Sequence, residues 1–175
     1  MGNSMKRTPI NLYEYAGWIL ETLPKGILLN SAAEGVEDTM TIGWGSLGTD
    51  WSLPVFTVFV RESRYTKTLL EKNPEFVISV PLQSSDVRKI IGYCGTVSGR
   101  DQNKFEKMHL HTVPGEKVQV PAIAELPITL ECKIIYRQDQ DPAAIAPDLK
   151  ARYYPTGDYH TAYTAQIVAA YLLED

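Results

Sequence analysis

Six short stretches of strand-forming residues, most of them joined without room for a crossover helix, constrain this chain more than any other feature. The strongest is Val55 to Arg61, which enters after Pro54 with Val-Phe-Thr-Val-Phe-Val. β-branched and aromatic residues in such a run fit a pleated, half-buried surface. Gly26 to Ser31 and Thr39 to Trp44 read as two more strands, with Ala33-Glu34-Gly35 as the turn between them. Phe76 to Val80 is closed by Pro81, Ile128 to Tyr136 lies within Leu126 to Asp139, and Ala162 to Leu173 ends the chain. Parallel neighbours need a long crossover, whereas antiparallel ones need only a turn. The pattern therefore predicts a mainly β fold, an antiparallel barrel with helices packed outside it.

The helices are short. Asn11 to Leu23 puts Leu12, Tyr15, Ile19 and Leu23 on one face, with Asn11 as cap and Pro24 as stop. Arg64 to Lys72 ends at Asn73-Pro74. Asp86 to Tyr93 and Gln102 to Met108 read as helices flanking a glycine-rich loop, Cys94 to Asp101, with Asp101 capping the second. Asp141 to Asp158, punctuated by Pro and Gly, reads as surface cover. At 175 residues the chain suits one domain, residues 1–175, with residues 1–24 as an N-terminal extension and helix.

Charge narrows the partners. The formal net charge is −4, which repels a phosphate backbone and argues against nucleic acid. No run approaches the ~18 apolar residues of a membrane span. Met1-Gly2 opens like a myristoylation signal, but Lys6 stands where Ser or Thr is needed. No apolar run follows Lys6 and Arg7, so the expected location is the cytoplasm. Cys94 and Cys132 have no Cys or His at ligand spacing, and both read as free thiols. His109 and His111, taken as the end of a helix, would point to different faces, so no metal site is expected.

Three segments carry chemistry. Gly43-Trp-Gly-Ser-Leu-Gly48 matches G-x-G-x-x-G by letter, with Glu62 at the distance of a ribose-binding acid. A dinucleotide turn must open a helix, however, and Thr49 to Pro54 leads into another strand, which disfavours a Rossmann dehydrogenase. The segment reads as a loop that brings backbone N–H groups and the flat ring of Trp44 to a planar ligand. Second, Arg61-Glu-Ser-Arg-Tyr-Thr66 starts a helix with Ser63 as cap and Thr66 at the third helical position. Free N–H groups, two hydroxyls and the guanidiniums of Arg61 and Arg64 suit a phosphomonoester; a plain capped helix is the alternative. Third, the Cys94 loop offers close backbone approach at glycine, hydroxyls at Thr96 and Ser98, and charge at Arg100 and Lys104; a helix connector is the alternative. Cys94 has no neighbouring His and reads as a small buried hydrophobe, not a nucleophile. The aromatic run Tyr153 to Tyr159 before His160 could wall a flat ligand or a partner subunit, or form a packed surface loop.

Taken in series, four stretches resemble the flavin reductase-like family. They are Asp38-Thr-Met-Thr-Ile-Gly-Trp44-Gly-Ser46, Val60-Arg-Glu-Ser-Arg-Tyr-Thr66, Phe76-Val-Ile-Ser-Val-Pro81 and Gly95-Thr-Val-Ser-Gly-Arg-Asp-Gln-Asn-Lys-Phe105. Met40-Thr-Ile-Gly-Trp44 gives the resemblance a flavoredoxin-like character. Asp38 departs from it, since such sequences often carry Asn there, and the Tyr-rich segment 153–159 departs as well. The resemblance implies an antiparallel FMN-binding split β-barrel and a homodimer with FMN near the interface. It implies that Thr41, Trp44, Gly45 and Ser46 line the isoalloxazine and ribityl chain. Arg61, Ser63, Arg64 and Thr66 would hold the 5′-phosphate, and Cys94, Gly95, Ser98 and Lys104 would approach from the other side. The expected activity is reduction of FMN by NADH or NADPH, with no catalytic side chain and with Lys104 as the candidate cation beside the flavin N1–C2=O edge. The alternatives are a non-enzymatic FMN carrier serving a redox partner protein, and a pyridoxamine-phosphate oxidase-like or haem-binding relative.

Overall fold

Strand-forming runs, some of them buried almost end to end, build one large antiparallel sheet. The computed structural model describes residues 5–175, so the myristoylation question at Met1-Gly2 lies outside the described residues. The order is β1 (Lys6–Pro9), α1 (Leu12–Thr22), β2 (Ile27–Ala33), β3 (Val36–Ile42), β4 (Gly45–Asp50), β5 (Leu53–Arg61), α2 (Tyr65–Leu70), β6 (Glu75–Val80), α3 (Arg88–Thr96), α4 (Lys104–Lys107), β7 (Thr112–Val113), β8 (Ala122–Ile123), β9 (Ile128–Asp139), α5 (Pro147–Tyr153) and β10 (His160–Glu174). The main sheet runs β3-β2-β6-β9-β10-β5-β4, with β1 added on β10 and every pairing antiparallel.

β10 organises the sheet. Its first half, His160 to Gln166, pairs with β5, and its end pairs with β1. Register shifts against β9 at Thr164/Ala165 and Ile167/Ala169 mark bulges, which bend a strand and raise its twist. β3 and β4 stand at the two ends of the order and do not pair with each other. Among the described residues hydrogen bonds thus do not close the sheet into a barrel, while its antiparallel pairing is as the short strand connections predict.

The main core takes alternate residues from each strand: Ile27 and Leu29, Phe56, Val58 and Val60, Phe76, Ile78 and Val80, Ile128 and Leu130, Tyr163 and Ala165. Ile19 and Leu23 of the first helical segment cap it. Each Val, Leu, Ile or Phe among them contributes roughly 1.5–3 kcal/mol by leaving water.

The α1 reading holds: Asn11 accepts a hydrogen bond from the Tyr13 N–H at 3.1 Å. Other details change. Gly45 to Asp50 is a strand, not a loop; it pairs with β5 across a tight hairpin whose tip, Trp51 and Ser52, has φ of 48° and 59°. Two positive φ values suit the hairpin's right-handed twist, and period-two patterning was too weak in Gly-Ser-Leu-Gly-Thr-Asp to reveal it. Cys94, Gly95 and Thr96 belong to α3 instead of the following loop. α4 is capped by Asn103, whose side chain accepts from the Glu106 N–H, rather than by Asp101. His109 and His111 lie beyond α4, not on it, and His111 Nδ1 pairs with Glu125 at 2.6 Å.

Candidate functional site

β3 carries the site. Two hollows of about 170 and 150 Å³ lie along it and share Met40, Thr41 and Arg64 in their walls. α3 packs close to β3 because Gly95 has no side chain: a β-carbon there would sit 3.3 Å from Thr41 Cβ. Thr41 Oγ1 then donates to the Ile91 carbonyl at 2.6 Å, tying strand to helix.

The second hollow is polar. Thr66, Ser98, Arg64, Arg100, Lys104 and Asp38 line it, with Cys94 and Gly95. Arg100 reaches across to the Ser63 carbonyl at 3.1 Å and lies over the Tyr65 ring. Lys104 and Asp38 are 3% and 4% exposed, with Nζ 3.6 Å from Oδ1. Lys104 also donates to the Thr39 carbonyl at 2.6 Å and to the Cys94 carbonyl at 3.4 Å. Burial pushes the Asp38 carboxyl above its usual range, with Lys104 pulling against it. Burial pushes the Cys94 thiol up to about 11, so it stays protonated at neutral pH and is a poor nucleophile.

The first hollow is aromatic. Trp44, 45% exposed, meets Tyr153 edge-on at 5.2 Å and lies 5.2 Å from the His160 ring. His160 Nδ1 pairs with the Tyr154 hydroxyl at 2.6 Å. Burial, helped by the Arg61 charge, lowers the His160 pKa to about 4, so this wall is neutral at physiological pH. Arg61 donates to the carbonyls of Asp158 and Tyr153 at 2.9 and 3.1 Å and stacks over Tyr154.

Of the residues singled out from sequence, Trp44 and Arg61 line the first hollow; Ser63, Thr66, Cys94, Gly95, Ser98 and Lys104 line the second; Thr41 and Arg64 line both. Gly45 and Ser46 line neither and sit in β4 opposite Val58 and Thr57. The cap of α2 is Arg64, not Ser63. Ser63 instead donates its hydroxyl to Asp158 Oδ2 at 2.7 Å and its N–H to Oδ1 at 2.9 Å. Thr66 is accordingly the second residue of the helix, one position earlier than expected. Arg61 sits away from the polar hollow, and Lys104 away from the aromatic one. Sequence reading missed Met40, Phe59, Tyr65 and Val97 as wall residues. Met40 and Phe59 fall at half-buried positions of their strands, a pattern shared by many core-edge residues. Among the described residues no group of three His, Cys, Asp or Glu could hold a metal, and no helix is long and apolar enough to cross a membrane.

Fold and site together define an antiparallel-sheet protein with a groove suited at one end to a flat ring and at the other to an anion. The chain belongs to the family described as flavin reductase-like domain, whose model matches residues 20–175. An uncharacterised protein of Archaeoglobus fulgidus is 37% identical over 58% of this chain and 56% of its own length. One of Pyrococcus abyssi is 31% identical over 64% of this chain and 53% of its own. The chain thus spans about half the length of these curated relatives. Among solved structures, an FMN-binding domain of a flavin reductases-like enzyme from Shewanella baltica matches with a TM-score of 0.69 and 19% identity over 98% of this chain and 79% of that one. Flavoredoxin of Desulfovibrio vulgaris matches with a TM-score of 0.66 and 20% identity, covering 98% and 73%. At such identities these structures speak for the fold.

Proposed function

We propose that this chain binds FMN in the groove along β3 and, as an oxidoreductase, lets NADH or NADPH reduce it. The observation that carries the reading is the pair of neighbouring hollows that share Met40, Thr41 and Arg64 in their walls. Trp44 and the neutral His160 wall the end suited to the isoalloxazine. Arg64, Arg100, Thr66 and Ser98 supply hydrogen-bond donors at the end suited to a phosphate monoester. Gly95 and Gly99 shape the polar end, because a side chain at either would press on Thr41 or Asp38 in its wall. FMN supplies the hydride and electron chemistry; the protein's part is to bind, orient and shield it. Arg64 and Thr66 anchor the phosphate, Trp44 limits the tilt of the ring, and no side chain is required as acid or base.

The rest of the reading follows the family. The curved sheet is a split β-barrel, the whole chain is one flavin reductase-like domain, and two copies form a homodimer in the cytoplasm. Support comes from the family match across residues 20–175 and from the bulged, antiparallel order around β10.

The test is a visible spectrum of the purified protein titrated with FMN, then with NADH and NADPH. Arg64→Ala and Thr66→Ala should each weaken FMN, the arginine more strongly. Losing a hydrogen bond to a charged group costs roughly 1.5–3 kcal/mol, about ten- to a hundredfold in affinity. Unchanged affinity in the double variant refutes the placement. FMN that stays bound and is not bleached by either nicotinamide makes the protein an electron carrier for a redox partner protein instead. Size-exclusion chromatography decides the dimer.

A further inference from the structure

A carboxylate buried inside an anion site needs a reason. Asp38 lines the same hollow as Arg64, Arg100, Ser98 and Thr66. Its oxygens face the backbone of the loop between α3 and α4: a β-carbon on Gly99 would fall 2.3 Å from Oδ1 and 2.9 Å from Oδ2. The groups around it are few. Lys104 comes from α4, Cys94 from α3, Arg100 from the connecting loop, and Arg64 and Tyr65 from the start of α2. Its partner on β2, Ser31, is uncharged. Lys104 lies 3.6 Å away and also serves two carbonyls, so it does not use up the acceptor capacity of the carboxylate.

We propose that Asp38 makes this hollow selective for an oxyanion that brings a proton, so that it accepts a phosphate monoester and refuses sulfate. The inference rests on the phosphate placement proposed above. An anion with acceptor atoms only would meet the donors well but would set a second negative charge against a buried carboxylate. Two negative groups set close together in one hollow disfavour each other's ionised form, and one proton shared between them removes the conflict. A phosphate group carries that proton within reach of neutral pH, since its second ionisation lies near pH ~6. The proton sits between a phosphate oxygen and a carboxylate oxygen, which become donor and acceptor, and no other bond changes. Sulfate has no such proton to offer. Asn at this position would remove the charge and could turn its amide N–H toward either anion.

Competition against FMN, followed by recovery of flavin fluorescence, tests this on the full chain. Inorganic phosphate and sulfate are compared at pH 7 and equal ionic strength. Phosphate should displace FMN at a concentration at least tenfold lower than sulfate. In Asp38→Asn the two should come within about threefold, because sulfate gains. Equal competition in the unaltered protein overturns the selectivity and leaves the phosphate placement standing. A tenfold preference that persists in Asp38→Asn overturns the role of Asp38. If FMN binds and neither anion competes, the phosphate placement itself falls and the inference with it. The first comparison needs no variant, so a poorly folding Asp38→Asn leaves it decisive.

Discussion

Replacing Lys104 with Met should be among the most damaging single changes in this protein, and its cost should depend on pH. The ammonium is 3% exposed, pairs with Asp38 across 3.6 Å and donates to the carbonyls of Thr39 and Cys94. Met keeps most of the volume but leaves a buried carboxylate and two carbonyls without their donor. Breaking a buried pair from one side costs about 3–5 kcal/mol, because the remaining charge is uncompensated. For a domain with a total stability of about 5–15 kcal/mol this is a large fraction. The sign with pH follows from Asp38. Burial raises its folded pKa above the unfolded value of about 4. Stability linked to it is therefore fully present below that value and declines as pH rises through the folded pKa. Removing Lys104 removes the main opposing pull, so the decline steepens and the variant's cost shrinks toward pH 4. Urea titrations of the protein without added flavin between pH 4 and 8 read this directly. With a slope of about 1–3 kcal/mol per molar, 3 kcal/mol moves the midpoint by roughly 1–3 M near neutral pH. A cost below about 1 kcal/mol, or one that does not change with pH, refutes the reasoning. Lys104→Met combined with Asp38→Asn should recover part of the loss.

Two further outcomes are expected. His160 is held neutral by burial and by Arg61, with its pKa lowered to about 4; its contribution to stability is present above about pH 6.5 and is lost as pH falls through 4, by up to about 3 kcal/mol. The difference between the pH–stability curves of the unaltered protein and His160→Gln isolates it from Asp38, which shifts the opposite way; a flat difference curve contradicts it. Tyr171→Phe removes the hydroxyl that donates to Glu131 at 2.6 Å, where the same carboxylate accepts the N–H groups of Glu116 and Lys117 and holds the segment before β8. A bond to a charged acceptor costs about 1.5–3 kcal/mol to lose, or roughly 3 to 12 °C in Tm at about 2–4 °C per kcal/mol; an unchanged Tm would show that the hydroxyl is not needed there.

How far the site was legible depended on which physical signal each residue carries. Val55 to Arg61 and Phe76 to Val80 announced themselves because both are short runs rich in β-branched and aromatic residues, the second buried along its whole length. Asn11 was readable as a cap because its side chain satisfies an N–H a few residues on, a local event. Ser63 failed by the same rule for a non-local reason. Its hydroxyl and N–H are taken by Asp158, ninety-five positions away, and that contact exists only once β10 has paired with β5. Against the cost of burial, those bonds and the charges of Arg61 and Arg64 hold Asp158 below the usual carboxylate range. Arg61 shows the same limit: composition placed it with Arg64 near a phosphate, whereas the folded chain turns it to two carbonyls on the far wall.

The polar hollow draws these lessons together. Thr66, Ser98 and Arg64 could be nominated from sequence, since hydroxyls and a guanidinium near a helix start are a local pattern. The balance of charge in the hollow could not. Lys104 looked like a free cation, and Asp38 only like a departure from a family habit. Folding brings them within 3.6 Å of each other in a place with almost no water. That pairing changes what the hollow offers an anion, from four cationic or hydroxyl donors plus a free lysine to a set of donors facing one committed carboxylate. Electrostatic selectivity at such a site is a property of the pair and its burial, not of either residue's position in the chain.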